Sequence, residues 1–142
     1  MDKRVVPFKR WHYDWLAERS LPGEGYTMSL DAPTLSVLEG LNSWTCVVDG
    51  NPIMCGGTMQ HWPGRHAAWT YLARDSGPHM LWITRQTLRV LADVKGRLEF
   101  TVRKDFAPGH AFARLLGFEV ETPCMKNYGP LGEDHTGYFR LN

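Results

Sequence analysis

The feature that most constrains this 142-residue sequence is the alternation of strand and helix patterns in its second half. Residues 66–73 and 98–102 are rich in aromatic and branched side chains, and residues 78–96 between them have the apolar spacing of a helix. A second helical pattern at 107–116 leads into a strand pattern at 118–122. Strands joined by single helices form right-handed crossovers, so we expect parallel pairing in this half of the chain.

The helix at 78–96 has the clearest amphipathic pattern of the sequence. One stripe of its helical wheel is mostly apolar: Met80, Ile83, Thr87, Leu91 and Val94. The charged side chains lie opposite: Arg85, Arg89 and Asp93. Pro78 suits the first turn, and Gly96 is expected to cap the carboxyl end.

The first half predicts a strand, two helices and an antiparallel meander. The expected elements are a strand at 5–8, a helix at 9–19, a loop at 21–25, a helix capped by Asp31 that ends near Asn42, and strands at 44–48, 53–59 and 66–73. Gly56 and Gly57 indicate a bulge or a close backbone approach. With a last strand at 137–141, the chain predicts one α/β domain over residues 1–142, a mixed sheet of about seven strands flanked by about four helices.

Composition excludes several classes of protein. The 16 lysines and arginines nearly balance 15 acidic residues, so no basic surface for nucleic acid is expected. No apolar run approaches the ~20 residues of a membrane helix, and the first residues lack the apolar segment of a secretory signal. Cys46, Cys55 and Cys124 are predicted to be reduced, buried thiols of a cytosolic protein. His61 and His66 form the only close histidine pair, so no metal site is expected.

Two segments of the second half carry a family resemblance. Residues 112–119 read Phe-Ala-Arg-Leu-Leu-Gly-Phe-Glu, an apolar helix that ends in Leu-Gly-Phe-Glu. Residues 74–79 place Arg74 and Gly77 in the pattern Q/R-x-x-G-x-G/A, with His79 at the final small position. Both segments resemble the GNAT superfamily of N-acetyltransferases, and with the element order the resemblance covers residues 44–141.

The resemblance implies a GNAT-like fold and acetyl-CoA as the cofactor, with an amine of unknown identity as the acceptor. The cofactor's pyrophosphate is expected beside Arg74, Ser76, Gly77 and His79. Free backbone N–H groups and the positive end of the helix dipole suit a pyrophosphate at this position.

The catalytic groups are less defined by the resemblance. The tyrosine that family members often carry in the short helix is replaced here by Ala113. Glu99, Tyr71, His110 and Tyr128 are the remaining candidates for acid–base work. Each also has a structural alternative, as a solvated strand residue, a packing aromatic, a helix-surface residue and a turn residue, respectively.

A narrower resemblance joins several short patterns. These are Trp69, Leu72, Asp75, Gly77 and Met80, then Thr-Val-Arg-Lys-Asp-Phe at 101–106, and Tyr-Gly-Pro at 128–130. They are similar to small GNAT-like proteins of tailed bacteriophages, some of which are internal virion or head-assembly proteins. This implies an alternative role without catalysis, in which the protein binds phage structural proteins, and a further one as an effector of a host protein. In these roles the protein is expected in the cytoplasm of the bacterial host or in the virion.

The tryptophans support a protein partner in that alternative. The expected interface anchors are Trp11, Trp15, Trp62 and Trp82. The sequence leaves the oligomeric state open.

Overall fold

The structure, a computed structural model, describes residues 1–20 and 32–142. Within these ranges the strands are β1 (Lys3–Pro7), β2 (Asn42–Val48), β3 (Asn51–Trp62), β4 (Arg65–Leu72), β5 (Arg97–Arg103), β6 (Glu119–Met125) and β7 (His135–Leu141). The helices are α1 (Arg10–Ala17), α2 (Ala32–Glu39), α3 (Met80–Leu91) and α4 (Ala107–Leu115). The predicted mixed sheet of seven strands with four helices is confirmed. The expected loop at 21–25 and the Asp31 cap lie outside the described residues.

The strands form one sheet in the order β1-β2-β3-β4-β5-β7-β6. β1–β2 and β2–β3 pair antiparallel, and β4–β5 pair in parallel, as the sequence predicts. The expectation of parallel neighbours is wrong for β5 and β6, because β7 lies between them and pairs antiparallel with both. The turn after β6 sends the chain back alongside it, and the open edge of β5 accepts the returning strand along its whole length.

The parallel ladder between β4 and β5 is short. It joins Arg65, His66 and Ala67 to Arg97, Leu98 and Glu99. Beyond Glu99, β5 continues to pair with β7 as far as Arg103, while no described strand pairs with its opposite edge. That edge of β5 therefore keeps backbone groups outside any ladder.

The chain divides into two compact units, residues 1–59 with 68–83 and residues 60–67 with 84–142. The core of the first unit contains Phe8, Tyr13, Leu16, Leu35, Leu38, Cys55 and Ala73. Buried apolar residues of the second unit include Leu98, Val102, Phe112, Leu116, Phe118 and Tyr138. A single domain over residues 1–142 stays a prediction.

The apolar stripe of α3 is confirmed, but its predicted end is wrong. Residues 83, 87, 91 and 94 are buried, whereas the opposite charged residues are exposed. The helix ends at Leu91 rather than at Gly96. The side-chain amide of Asn142 donates to the carbonyl oxygens of Leu91 (2.7 Å) and Val94 (2.6 Å), so a distant residue satisfies the helix end. Gly96 has a φ of +98° and turns the chain into β5.

The glycine pair of β3 marks a close backbone approach, one of the two predicted alternatives. A Cβ on Gly57 would lie 2.7 Å from the carbonyl oxygen of Asn42 and 2.7 Å from Nε1 of Trp69. A Cβ on Gly56 would lie 2.9 Å from the carbonyl oxygen of Trp69. The register of the β2–β3 ladder shifts elsewhere: Cys46 pairs with Met54 and Val47 with Pro52, which leaves Ile53 of β3 without a register partner.

The three cysteines are free thiols. Cys46 and Cys55 are buried, and burial raises the pKa of the Cys46 thiol to about 12. Cys124 is half-buried, so the prediction of three buried thiols is wrong for this residue, which lies on the edge strand β6. None of the described helices is long and apolar enough to cross a membrane.

We expect Gly57→Ala to lower the free energy of unfolding by about 1–3 kcal/mol, because the added methyl group overlaps the Asn42 backbone and the Trp69 ring. Urea denaturation measures the change. Gly77→Ala is the matched control: a Cβ there meets nothing within 4 Å, so the change should stay within about 0.5 kcal/mol. Equal effects of the two substitutions would contradict the close approach at Gly57.

Candidate functional site

Backbone hydrogen bonds anchor the loop between β4 and α3 within the first unit. Ala73 donates its N–H to the carbonyl of Ile53 (2.9 Å) and bridges Ser20. Arg74 donates its N–H to the carbonyl of Arg19, at 2.6 Å. The start of the loop is therefore held by β3 and by the segment that follows α1.

Most of the loop's amides are used inside the loop. Ser76 donates to Ala73 (3.1 Å) and His79 donates to Ser76 (2.8 Å), which forms a short 3-10 helix over Gly77–His79 ahead of α3. Pro78 has no N–H. Among the described residues, the amides of Asp75 and Gly77 have no hydrogen-bond partner. Within the described residues the loop therefore offers two free backbone donors.

The four predicted cofactor-binding residues lie in this one loop but face differently. Arg74 is exposed and forms no ion pair within the described part of the chain. Gly77 is exposed, with open space over its Cα. The Ser76 side chain is buried at 3% exposure, so its hydroxyl points away from solvent. His79 is half-buried, and its Nδ1 has no hydrogen-bond partner among the residues that the structure describes.

These features fit a pyrophosphate at one end of the loop. Arg74 supplies a guanidinium that can form charge-assisted hydrogen bonds with phosphate oxygens. The free amides of Asp75 and Gly77 add two donors at the positive end of the α3 dipole. Arg74 and Gly77, with the Asp75 amide, are the groups that can hold the anion.

Of the catalytic candidates, Glu99 is held in an ion-pair network. Its carboxylate accepts from Arg65 at 2.5 and 3.0 Å and from Arg97 at 2.5 Å. Arg97 also donates to Glu121, and the Arg65 guanidinium stacks 4.7 Å from the Trp62 ring. The hydrogen bonds from Arg65, and after them those from Arg97, hold the pKa of Glu99 below its usual range. Both oxygens of the carboxylate are occupied, which is the geometry of a structural ion pair.

Tyr71 lies half-buried on β4 beside the core of the first unit. Its ring packs edge-on against Tyr13 at 5.6 Å and tilted against Trp69 at 5.9 Å. This packing corresponds to the structural alternative for Tyr71.

His110 bonds to a tyrosine that sequence reasoning missed. His110 Nε2 lies 2.9 Å from the carbonyl oxygen of Lys104, so Nε2 carries the proton and donates it. His110 Nδ1 then accepts from the hydroxyl of Tyr138, at 2.6 Å. Tyr138 is buried and stacks on Phe100. The available signal was an aromatic residue in the strand predicted at 137–141, and it could not show which helix Tyr138 meets.

Tyr128 lies against a second group of side chains that sequence reasoning missed. Its ring is 5.2 Å from that of His135. His135 Nδ1 is 3.1 Å from Thr101 Oγ1, and His135 Nε2 is 3.2 Å from a Glu133 carboxylate oxygen. The spacing Glu-x-His was the only local signal; Thr101 comes from another strand.

Two further expectations concern metals and tryptophans. Within residues 1–20 and 32–142, no group of three or more His, Cys, Asp or Glu side chains is placed to hold a metal ion.

The four tryptophans expected at an interface differ in exposure. Trp11 and Trp62 are 53% and 56% exposed, whereas Trp15 lies under the Arg19 guanidinium and Trp82 under the Lys3 ammonium group.

No protein-family model matches the chain, and no curated protein matches its sequence. Solved structures match over nearly the whole length. A GNAT-family acetyltransferase from Bacillus anthracis has a TM-score of 0.69 and 11% identity, covering 99% of this chain and 95% of that one. Ard1 from Thermoplasma volcanium has a TM-score of 0.76 and 11% identity, covering 99% and 98%. A chimera of spermidine N-acetyltransferase SpeG from Vibrio cholerae and hSSAT has a TM-score of 0.72 and 10% identity, covering 99% and 96%.

The chain has the GNAT fold. At these identities the likeness is one of fold, and it assigns no role to individual residues of this chain. The GNAT fold expected from the sequence is confirmed, whereas the narrower resemblance to phage proteins stays a prediction.

We expect Glu99→Gln to lower the free energy of unfolding by about 1 kcal/mol at pH 7, because two guanidinium groups lose their charged acceptor. The pKa of Glu99 is lowered in the folded state, so this stabilisation exists above the unfolded pKa and is lost as the pH falls through the folded pKa. The difference between variant and wild type should therefore shrink below about pH 4. Urea denaturation at pH 7 and at lower pH measures it.

Glu119→Gln is the matched control, since Glu119 is an exposed carboxylate without an ion pair among the described residues. It should leave the stability unchanged at pH 7. A Glu99→Gln effect that persists unchanged in acid would argue against the ion pair as its cause.

Proposed function

We propose that this protein is an N-acetyltransferase that transfers the acetyl group of acetyl-CoA to an amine. The loop between β4 and α3 carries the proposal. Within the described part of the chain, an exposed Arg74 without an ion pair and the amides of Asp75 and Gly77 without hydrogen-bond partners lie together ahead of a 12-residue helix. Such a set of donors suits the pyrophosphate of a CoA thioester. The GNAT fold, shared with acetyltransferases, supports the same ligand.

The chemistry asks little of the side chains beyond positioning. Bound acetyl-CoA supplies an acyl group activated as a thioester. The amine nitrogen would bond to the acyl carbon as the carbon–sulfur bond breaks. CoA would leave as its thiolate, and the amine proton would pass to a proton acceptor or to solvent. Holding the amine next to the thioester provides much of the rate acceleration, and a group that accepts the amine proton adds to it. A reaction that depends mainly on positioning is compatible with alanine at position 113, where family members often carry a tyrosine.

Acetyl-CoA should raise the melting temperature of the protein by several degrees at a ligand concentration about 100-fold above Kd, because it binds the folded state alone. Gly77→Glu should abolish the shift, since the new carboxylate occupies the open space over the loop and repels phosphate. Differential scanning fluorimetry measures both.

Gln60→Glu is the charge-matched control, an exposed residue of β3 outside the loop, and it should keep the full shift. A companion assay follows CoA thiol release with spermidine and with a peptide that has a free amino terminus. No melting shift at millimolar acetyl-CoA, together with no amine-dependent thiol release, would overturn the proposal.

A second candidate is the non-catalytic role in phage assembly, or as an effector of a host protein. The exposed rings of Trp11 and Trp62 favour a protein partner, because large exposed aromatics are typical of binding surfaces. The assembly role predicts that the protein co-purifies with capsid, portal or tail components, as detected by mass spectrometry of particles. Absence from both finished particles and assembly intermediates would count against it.

A further inference from the structure

One nitrogen atom of a buried histidine in the first unit receives two hydrogen bonds. His12 lies in the first turn of α1 and is 3% exposed. Its Nδ1 is 3.0 Å from the backbone nitrogen of Lys9 and 2.7 Å from the hydroxyl oxygen of Thr45 on β2. The bond from Lys9 holds the start of α1, and the bond from Thr45 ties the same ring to the sheet.

The backbone amide decides which tautomer the His12 ring adopts. The Lys9 N–H can only donate, so His12 Nδ1 carries a lone pair and the hydrogen of the neutral ring is on Nε2. The Thr45 hydroxyl then donates to the same lone pair. A proton on Nδ1 would face the Lys9 N–H. The Thr45 hydroxyl can rotate away from such a proton, whereas the backbone amide cannot, so the bond from Lys9 would be lost.

The first turn of α1 has few other acceptors. The helix contains eight residues, and a helix of this length is not stable without tertiary contacts. Lys9, the residue before it, has no side-chain acceptor. The Arg10 amide donates to the Glu39 carboxylate of α2 at 2.7 Å, and the Lys9 amide donates to His12. If the second bond breaks, the described part of the chain offers Glu39 as the remaining side-chain acceptor for these two amides.

A positive charge on His12 is unfavourable at this position. Burial, and after it the charge of Lys9, lower the pKa of His12 below its usual value. The first turn of a helix is also the positive end of its dipole. Glu39 at the end of α2 acts in the opposite direction, and β2 contributes the uncharged Thr45. Two aromatic rings that contact the imidazole carry no charge: Phe8 and Trp11.

The lowered pKa sets the pH range in which the two hydrogen bonds stabilise the fold. The folded protein binds the His12 proton less readily than the unfolded chain, in which the ring has its usual pKa of 6.5. The stabilisation is therefore complete well above pH 6.5 and decreases as the pH falls below that value. It is lost once the pH is below the folded pKa.

The other end of α1 anchors the loop between β4 and α3. The Arg74 amide donates to the carbonyl oxygen of Arg19 at 2.6 Å. The Arg19 amide donates in turn to the carbonyl oxygen of Leu16, in the last turn of α1, at 2.9 Å. All of these residues belong to the first unit. A helix of about two turns therefore joins the contacts of His12 to the anchor of the loop.

We propose that His12 is a pH-sensitive switch that secures α1 while the ring is neutral and loosens both ends of this helix when the ring is protonated. Protonation removes the lone pair that accepts from the Lys9 amide and the Thr45 hydroxyl, so the first turn of α1 loses its bond to β2. Because α1 is short, the loosening reaches the Arg19 carbonyl that holds the β4–α3 loop. The switch needs no cofactor, so it stands whether or not the protein transfers acetyl groups.

The tautomer and the titration of His12 can be measured in the wild-type protein. Nitrogen-15 NMR of the imidazole at pH 7.5 should show a hydrogen on Nε2 and none on Nδ1. Titration should give a pKa for His12 below 6.5. A neutral ring protonated at Nδ1, or a pKa at or above 6.5, would overturn the switch.

Amide hydrogen exchange measures the loosening of α1. Protection factors at pH 7.5 and pH 5.0 correct for the intrinsic pH dependence of exchange, and acidic side chains stay mostly ionised over this range. From the higher to the lower pH, the protection of the Lys9 and Arg74 amides should fall several-fold in the wild type. The Arg97 amide, which donates to the Gly64 carbonyl in the second unit, reports unfolding of the whole chain and should keep its protection.

Two matched histidine substitutions identify the group that titrates. His12→Gln places an amide oxygen at the third helical position, from which glutamine accepts the amide hydrogen of the residue before the helix without titrating. The fall in protection should disappear in this variant. His61→Gln changes an exposed histidine of β3 and should keep the full wild-type response.

Three exchange results would contradict the switch. These are no fall in the wild type, an equal fall in His12→Gln, and a fall at Arg97 as large as that at Lys9. A loss of protection at Lys9 with Arg74 unchanged would overturn the link between α1 and the loop.

Discussion

The antiparallel ladder between β5 and β7 organises the second unit. All seven residues of β7 pair with β5, from Leu141 opposite Arg97 to His135 opposite Arg103. This register brings His135 to Thr101 and sets Tyr138 within reach of α4. The same ladder delivers Asn142 to the carboxyl end of α3, where its amide replaces the missing intrahelical donors.

The loop before α3 shows how local hydrogen bonding limits a binding site. The amides of His79 and Met80 donate within the short 3-10 helix, to Ser76 and Gly77, and Pro78 has no N–H. Among residues 1–20 and 32–142, nothing bonds the amides of Asp75 and Gly77, which lie next to an exposed Arg74. A site with few backbone donors depends more strongly on the guanidinium, so salt should weaken anion binding more than it does in a loop built of amides alone.

Most elements of the fold were predictable because their signals are local. The stripe of α3 and the glycine pair of β3 were read correctly from periodicity and residue type. The wrong predictions concern long-range contacts. Asn142, 51 residues from Leu91, bonds to the end of α3, and β7 lies between β5 and β6 in the sheet. In the candidate site, Arg74 and Gly77 were found by spacing, whereas Tyr138 was missed because its partner His110 is 28 residues away.

The sequence by itself determined the element order, the mixed sheet and the place of the loop before α3, since hydrophobic period and turn residues act within a few residues. Only the tertiary structure decided which side chains share a hydrogen bond. Glu99 became the centre of an ion-pair network rather than a free base, because Arg65 arrives from β4. Strand register brings the side chains of Thr101, His135 and Glu133 into one hydrogen-bonded group, although Thr101 belongs to a separate segment. No local sequence pattern encodes that register.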